Sequence, residues 1–155
     1  MAIFTRQEIE EGLRRLGELA QAKGLQVELT LVGGAVMVLR FDARPSTRDV
    51  DAVILSPREA RIVRDLARQV AEEHDWPEDW LNDGAKGYLV GISKGPLVFQ
   101  APGIEVHAPS MEQLLAMKLS ACVMMWIYRT RDVCCKKLRK VINAMKSGKT
   151  LNLIS

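Results

Sequence analysis

The strongest constraint on this chain is a glycine pair followed by two aspartates spaced i, i+2. It reads Leu31-Val32-Gly33-Gly34-Ala35, then Thr47-Arg48-Asp49-Val50-Asp51-Ala52-Val53-Ile54. Val27, Leu29 and Leu31 alternate with Glu28 and Thr30, the pattern of a strand running into the glycines. A short apolar helix from Ala35 to about Phe41 is predicted next, then a loop from Asp42 to Thr47 and a second strand from Asp49 to Leu55. Successive side chains of a strand alternate faces, so Asp49 and Asp51 point the same way. Val50, Val53, Ile54 and Leu55 mark that strand as buried. Two carboxylates there are costly unless a cation or donor sits between them. Mg²⁺ or Mn²⁺ suits the position, because it takes a few carboxylate oxygens and leaves sites for substrate phosphate. The bland alternative is an edge strand with solvated carboxylates, or with ion pairs to Arg44 and Arg48. The metal reading is preferred because glycines, hydroxyls and carboxylates occur together.

The neighbours of this unit carry weaker signals. Gly33 and Gly34 fit a tight connection with φ > 0, or a bare backbone that lets a phosphate approach the following N–H groups. Ser46 and Thr47 are placed to touch phosphate or to cap the start of the strand. Arg48 is either a counter-charge for phosphate or a surface arginine.

Around this unit the chain reads as alternating helices and strands. Thr5-Arg6-Gln7-Glu8 is a capping box, and Ile9, Leu13, Leu16, Leu19 and Ala20 then recur on one helical face up to Gly24. Ser56-Pro57-Arg58-Glu59 predicts a helix with Ser56 as N-cap and an apolar face of Ile62, Val63, Leu66, Ala67 and Val70. Trp76 to Gly87 reads as a loop or short helical segment. Strands are predicted over Tyr88–Ile92, Leu97–Gln100 and Ile104–His107, and a helix from Pro109-Ser110 through Leu119. The expected class is α/β or α+β, with a small mixed sheet flanked by helices.

Composition bounds the setting. The chain has 155 residues, 48% apolar and 26% charged, enough for one domain with a real core. No segment approaches the roughly 20 apolar residues of a membrane span. The N-terminus lacks the basic start and apolar run of a signal peptide, so a cytoplasmic protein is expected. Charge is unevenly spread. Residues 122–155 carry eight Lys/Arg against Asp132 alone, a balance of +7, whereas residues 1–121 hold 14 basic and 18 acidic side chains. Cys122, Cys134 and Cys135 all lie in that basic segment, without metal-ligand spacing.

Gly33-Gly34 followed by Asp49-Val50-Asp51, with 14 residues between, resembles the signature of the nucleotidyltransferase superfamily. Thr47-Arg48-Asp49-Val50-Asp51 together with Leu114 to Ala121 looks more specifically like the AbiEii-type toxin nucleotidyltransferases and their small relatives. The resemblance covers roughly residues 26–121. It implies transfer of a nucleoside monophosphate from an NTP, with metal at Asp49 and Asp51, RNA such as tRNA as an acceptor, and an antitoxin partner. Lys118 matches a lysine that in these toxins lies near the triphosphate; periodicity alone makes it a helix-surface lysine. Many superfamily members add a third carboxylate on a later strand, and Glu105 is the candidate, with a solvent-facing strand residue as the equal alternative. His107 is expected to serve structure.

After Ala121 the resemblance stops. The relatives continue with an arginine and an acidic Asp-hydrophobic-Asp segment, where this chain has Cys122-Val123-Met124-Met125-Trp126-Ile127. Met124 to Ile127 is encoded ATG ATG TGG ATH, and the same nucleotides read two positions later spell GAT GTG GAT, or Asp-Val-Asp. The segment 122–155 is accordingly read as a frameshifted tail behind a domain of residues 1–121, with a genuine basic tail as the alternative. Either way the expected catalytic complement is incomplete. A competing reading therefore stands beside the enzyme: a catalytically degenerate module that binds nucleic acid or a protein.

Overall fold

The computed structural model describes residues 3–83, 94–117 and 119. Two compact units divide the chain, Met1–Pro109 and Ser110–Ser155. In the second, residues 111–117 are helical, and Ser110 caps them by accepting the Gln113 N–H at its Oγ (3.2 Å). The predicted segment Tyr88–Ile92, Lys118 and the tail from 122 lie outside the described residues.

The first unit opens with β1 (Phe4–Thr5) and α1 (Arg6–Ala22). The capping box is formed as the sequence predicts. Thr5 N–H donates to Glu8 Oε2 at 2.7 Å, and Glu8 N–H returns to Thr5 Oγ1 at 3.4 Å. The Thr5 N–H, and then the Thr5 hydroxyl, which also donates to Glu8 Oε2 at 2.7 Å, draw the Glu8 carboxyl below its usual range. Gly24, at φ 68°, turns the chain out of the helix in the left-handed region.

β2 (Val27–Leu31) leads into α2 (Gly33–Leu39), and β3 (Ser46–Thr47) precedes β4 (Val50–Ser56). After α3 (Ala60–His74) come β5 (Leu81–Asn82), β6 (Leu97–Ala101) and β7 (Ile104–His107). Among the described residues the main sheet has the order β5-β4-β2-β7-β6, and β1 pairs with β3 in a small ribbon. β2 runs antiparallel to β4 and parallel to β7, so the sheet is mixed and the class α+β, as predicted.

Strand alternation sorts the sheet into two unlike faces. Val27, Leu29, Leu31, Val50, Ala52, Ile54, Ile104 and Val106 share one face, and all are buried. This face forms the core with Ile9, Leu13, Leu16 and Ala20 of α1 and Val63, Leu66 and Val70 of α3. The other face carries Glu28, Thr30, Asp51, Val53, Glu105 and His107.

Three boundaries differ from expectation. Ser56 pairs with Glu28 in the sheet, so the chain is still a strand there, and α3 starts at Ala60 behind Glu59 rather than behind Ser56. α2 begins at Gly33, two residues before the apolar run. The segment from Trp76 is not merely a loop: Trp80 is buried, its indole N–H donates to the Ala67 carbonyl at 2.8 Å, and Leu81–Asn82 pairs parallel to Val50–Asp51.

Candidate active site

The site forms where the end of β2 meets the start of β4. Antiparallel pairing sets Leu31 opposite Ala52, and the Val32 N–H donates to the Asp51 carbonyl at 2.8 Å. The glycine pair and the aspartates, with 14 residues between them in sequence, are thereby brought together. Gly33 stands at φ 64°, a conformation that glycine adopts without the steric cost of a side chain. A Cβ built on Gly33 would lie 3.0 Å from Asp51 Oδ2, so the absent side chain also leaves room for the carboxylate.

Asp49 sits one residue ahead of β4, exposed, and Asp51 is half-buried on the polar face. Burial, and then the neighbouring Asp49 carboxylate, push the Asp51 carboxyl above the usual range; a hydrogen bond from Asn82 pulls it partly back. Among the described residues neither aspartate makes an ion pair, so Arg44 and Arg48 do not neutralise them. A half-buried carboxylate disfavoured by burial and by an anionic neighbour, beside bare backbone, suits a divalent cation in charge and in ligand chemistry. Asp49 and Asp51 fit that group.

The remaining predicted residues separate. Thr47 is buried, and its hydroxyl donates to the Asp49 carbonyl at 3.1 Å, capping the start of β4 while resting against Gly34. Arg48 is exposed in the bend and Ser46 half-buried beside it. Arg44, considered from sequence only as an ion-pair partner, places Nη1 3.9 Å from where a Gly34 side chain would begin. Its guanidinium is thereby set close to Gly34. Glu105 does not join the aspartates. Its register partner is Glu28, which pairs with Ser56, five residues along β4 from Asp51. That is roughly 15 Å or more along the strand direction at the usual rise. Among the described residues no group of three His, Cys, Asp or Glu converges as a metal cluster. His107 is buried, with Nδ1 3.1 Å from the Gly95 carbonyl, which can only accept a hydrogen bond.

Asn82 was missed altogether. Its amide Nδ2 donates to Asp51 Oδ1 at 3.3 Å from the paired position on β5. No local signal marks it, because a two-residue strand is shorter than any periodic pattern.

A mixed sheet with this glycine turn and carboxylate pair agrees with the nucleotidyltransferase resemblance of the sequence. The chain belongs to the family described as nucleotidyl transferase of unknown function (DUF2204), which matches residues 6–95. That span contains the glycines, both aspartates, Arg44 and Asn82. No curated protein and no solved structure matches the chain. No helix among the described residues is long and apolar enough to cross a membrane.

Proposed function

We propose that the chain is a metal-dependent nucleotidyltransferase that moves a nucleoside monophosphate from an NTP to an acceptor hydroxyl, with RNA as acceptor and a toxin-like role. The observation that carries this is the Asp51 carboxylate lying against Gly33 beside Asp49, with no cation of the described chain to balance the pair. Asp49 and Asp51 would hold the metal. When bound, a divalent cation supplies charge neutralisation of the triphosphate and activation of the attacking hydroxyl. The acceptor oxygen attacks the α-phosphorus, the bond to the β-phosphate oxygen breaks, and pyrophosphate leaves. Phosphate would approach the backbone N–H groups of the glycine turn, with Ser46, Thr47 and Arg48 following in the chain and Arg44 near Gly34. Lys118, the RNA acceptor and an antitoxin partner enter through the resemblance alone.

The test is incubation with each labelled NTP, Mg²⁺ and total RNA, alongside Asp49→Ala. Label entering RNA only with intact Asp49 is the expected result; incorporation that survives the substitution refutes the site.

A second reading is favoured by one observation: no third carboxylate reaches the aspartates among the described residues. In it the chain is a degenerate transferase whose basic segment binds nucleic acid, with salt-sensitive affinity and no incorporation. Sequencing the gene bears on the choice. The frameshift reading expects the alternative frame to stay open beyond the forced Asp-Val-Asp codons until the family pattern is complete, and a stop codon before that point ends it. A frame-restored chain that transfers label where this chain does not locates the defect after residue 121.

A further inference from the structure

A carboxylate that holds a cation needs a fixed orientation, yet a charged partner would compete with the cation for it. Asp51 has a neutral partner. Asn82 Nδ2 donates to Oδ1 at 3.3 Å, while Oδ2 faces the space that a Gly33 side chain would fill. The amide fixes the carboxylate without cancelling its charge.

The segment bearing Asn82 is anchored on both sides. Trp80 is buried, touches Phe4 and Trp76 edge-on or tilted, and donates its indole N–H to Ala67 of α3 at 2.8 Å. Its carbonyl accepts the Val50 N–H at 2.8 Å, the residue between the two aspartates. Beyond Asn82, Asp83 Oδ2 accepts from Arg64 Nε and Nη2 at 3.0 and 2.6 Å, tying the far end to α3. Parallel pairing then sets Asn82 beside Asp51 on the same face. A core tryptophan, two backbone pairings and an ion pair therefore act on a strand of two residues. So short a strand buries little by itself, and these anchors hold it beside β4.

We infer that Asn82 is a positioning residue for the metal-holding carboxylate of Asp51, with Trp80 and Asp83 locking the strand that carries it. The inference rests on the cation reading of Asp49 and Asp51. Partners one shell out from a metal ligand are worth ~10–100-fold in affinity, and Asn82 falls in that class.

The test is titration of the full chain with Mn²⁺ alone, followed by electron paramagnetic resonance of the free ion, together with thermal melting. Wild type, Asp51→Asn, Asn82→Leu and Asn82→Gln are compared. Leucine keeps the shape and removes the donor, whereas glutamine keeps an amide. The expected result is loss of binding in Asp51→Asn and ~10–100-fold weaker binding in Asn82→Leu at an unchanged melting temperature. Asn82→Gln should recover part of it. Wild-type affinity in Asn82→Leu, with Asp51→Asn still defective, overturns the inference and leaves the cation site standing. Equal weakening in both Asn82 variants with an early melt assigns Asn82 to stability alone and also overturns it. Absent binding in wild type, or full binding in Asp51→Asn, removes the cation reading itself.

Discussion

Two acidic pairs mark opposite ends of the central sheet, Glu28 with Glu105 on its polar face and Asp51 with Asp49 just ahead of β4, and they are balanced differently. Glu28 and Glu105 are register neighbours on β2 and β7. Lys94 Nζ lies 2.9 Å from Glu28 Oε2, and this contact, with a weaker pull from Glu105, holds the ammonium above its usual range. Gln100 adds a 3.5 Å hydrogen bond to Glu105. This pair brings its own counter-charge. Asp49 and Asp51 are given only a neutral amide, and Asp51 is pushed up by burial and repulsion. Both are pairs of neighbouring carboxylates. What separates a structural cluster from a candidate metal site is therefore whether the chain supplies the cation.

The contrast can be broken by exchanging the roles of the two ends. Asp49→Asn should weaken Mn²⁺ binding at least ~100-fold, the upper end of what even an outer partner costs. Glu105→Gln should leave that affinity alone; a comparable loss there, by the same titration, would erase the distinction. The glycine comes next. Gly33→Ala forces a side chain into φ 64° and toward Asp51 Oδ2, and urea unfolding should show a loss of about 1–2 kcal/mol. An unchanged midpoint would mean that the turn relaxes freely.

pH separates the two ends more gently. The Asp51 carboxyl is raised in the folded, metal-free chain, so the folded state binds the proton more tightly than the unfolded one. Metal-free stability should therefore fall as pH rises from the ordinary aspartate range through the raised value. Asp51→Asn should flatten that slope in urea melts at stepped pH; a slope that persists assigns it to another group. Smallest is Lys94→Met, on an exposed pair: a slight drop in melting temperature at low salt, absent at high salt. A salt-independent drop would show that Lys94 acts through packing instead.

How much of this was legible in the sequence depended on how local the signal was. Thr5 and Glu8 announced α1 because a capping box is complete within four residues. The alternation of β2 and the i, i+2 aspartates placed Asp51 on the polar face, since strand parity needs no partner. Glu105 had the same local appearance, Ile104-Glu105-Val106, and nothing in it states the register. Parallel pairing of β2 with β7 joins residues more than 70 apart and sets Glu105 beside Glu28, away from Asp51. Asn82 and the Phe4–Thr5 pairing with Ser46–Thr47 were hidden for a related reason: two-residue strands have no periodicity of their own. Ser56-Pro57 carried a convincing helix-start pattern, but the ladder to Glu28 claimed Ser56 first. Arg44 was legible only as a charge, because its approach to Gly34 is a tertiary fact.

The central claim is that the unbalanced carboxylates, not the balanced ones, carry nucleotidyl transfer. The most direct measurement is incorporation of α-phosphate-labelled NTP into RNA by wild type, Asp51→Asn and Glu105→Gln, each with Mg²⁺ and with excess chelator. Transfer that needs Mg²⁺ is expected in wild type and Glu105→Gln, with a loss of ~10³-fold or more in Asp51→Asn, the several kcal/mol that a metal contributes. Transfer that persists in Asp51→Asn, or that disappears in Glu105→Gln with its fold intact, contradicts the claim.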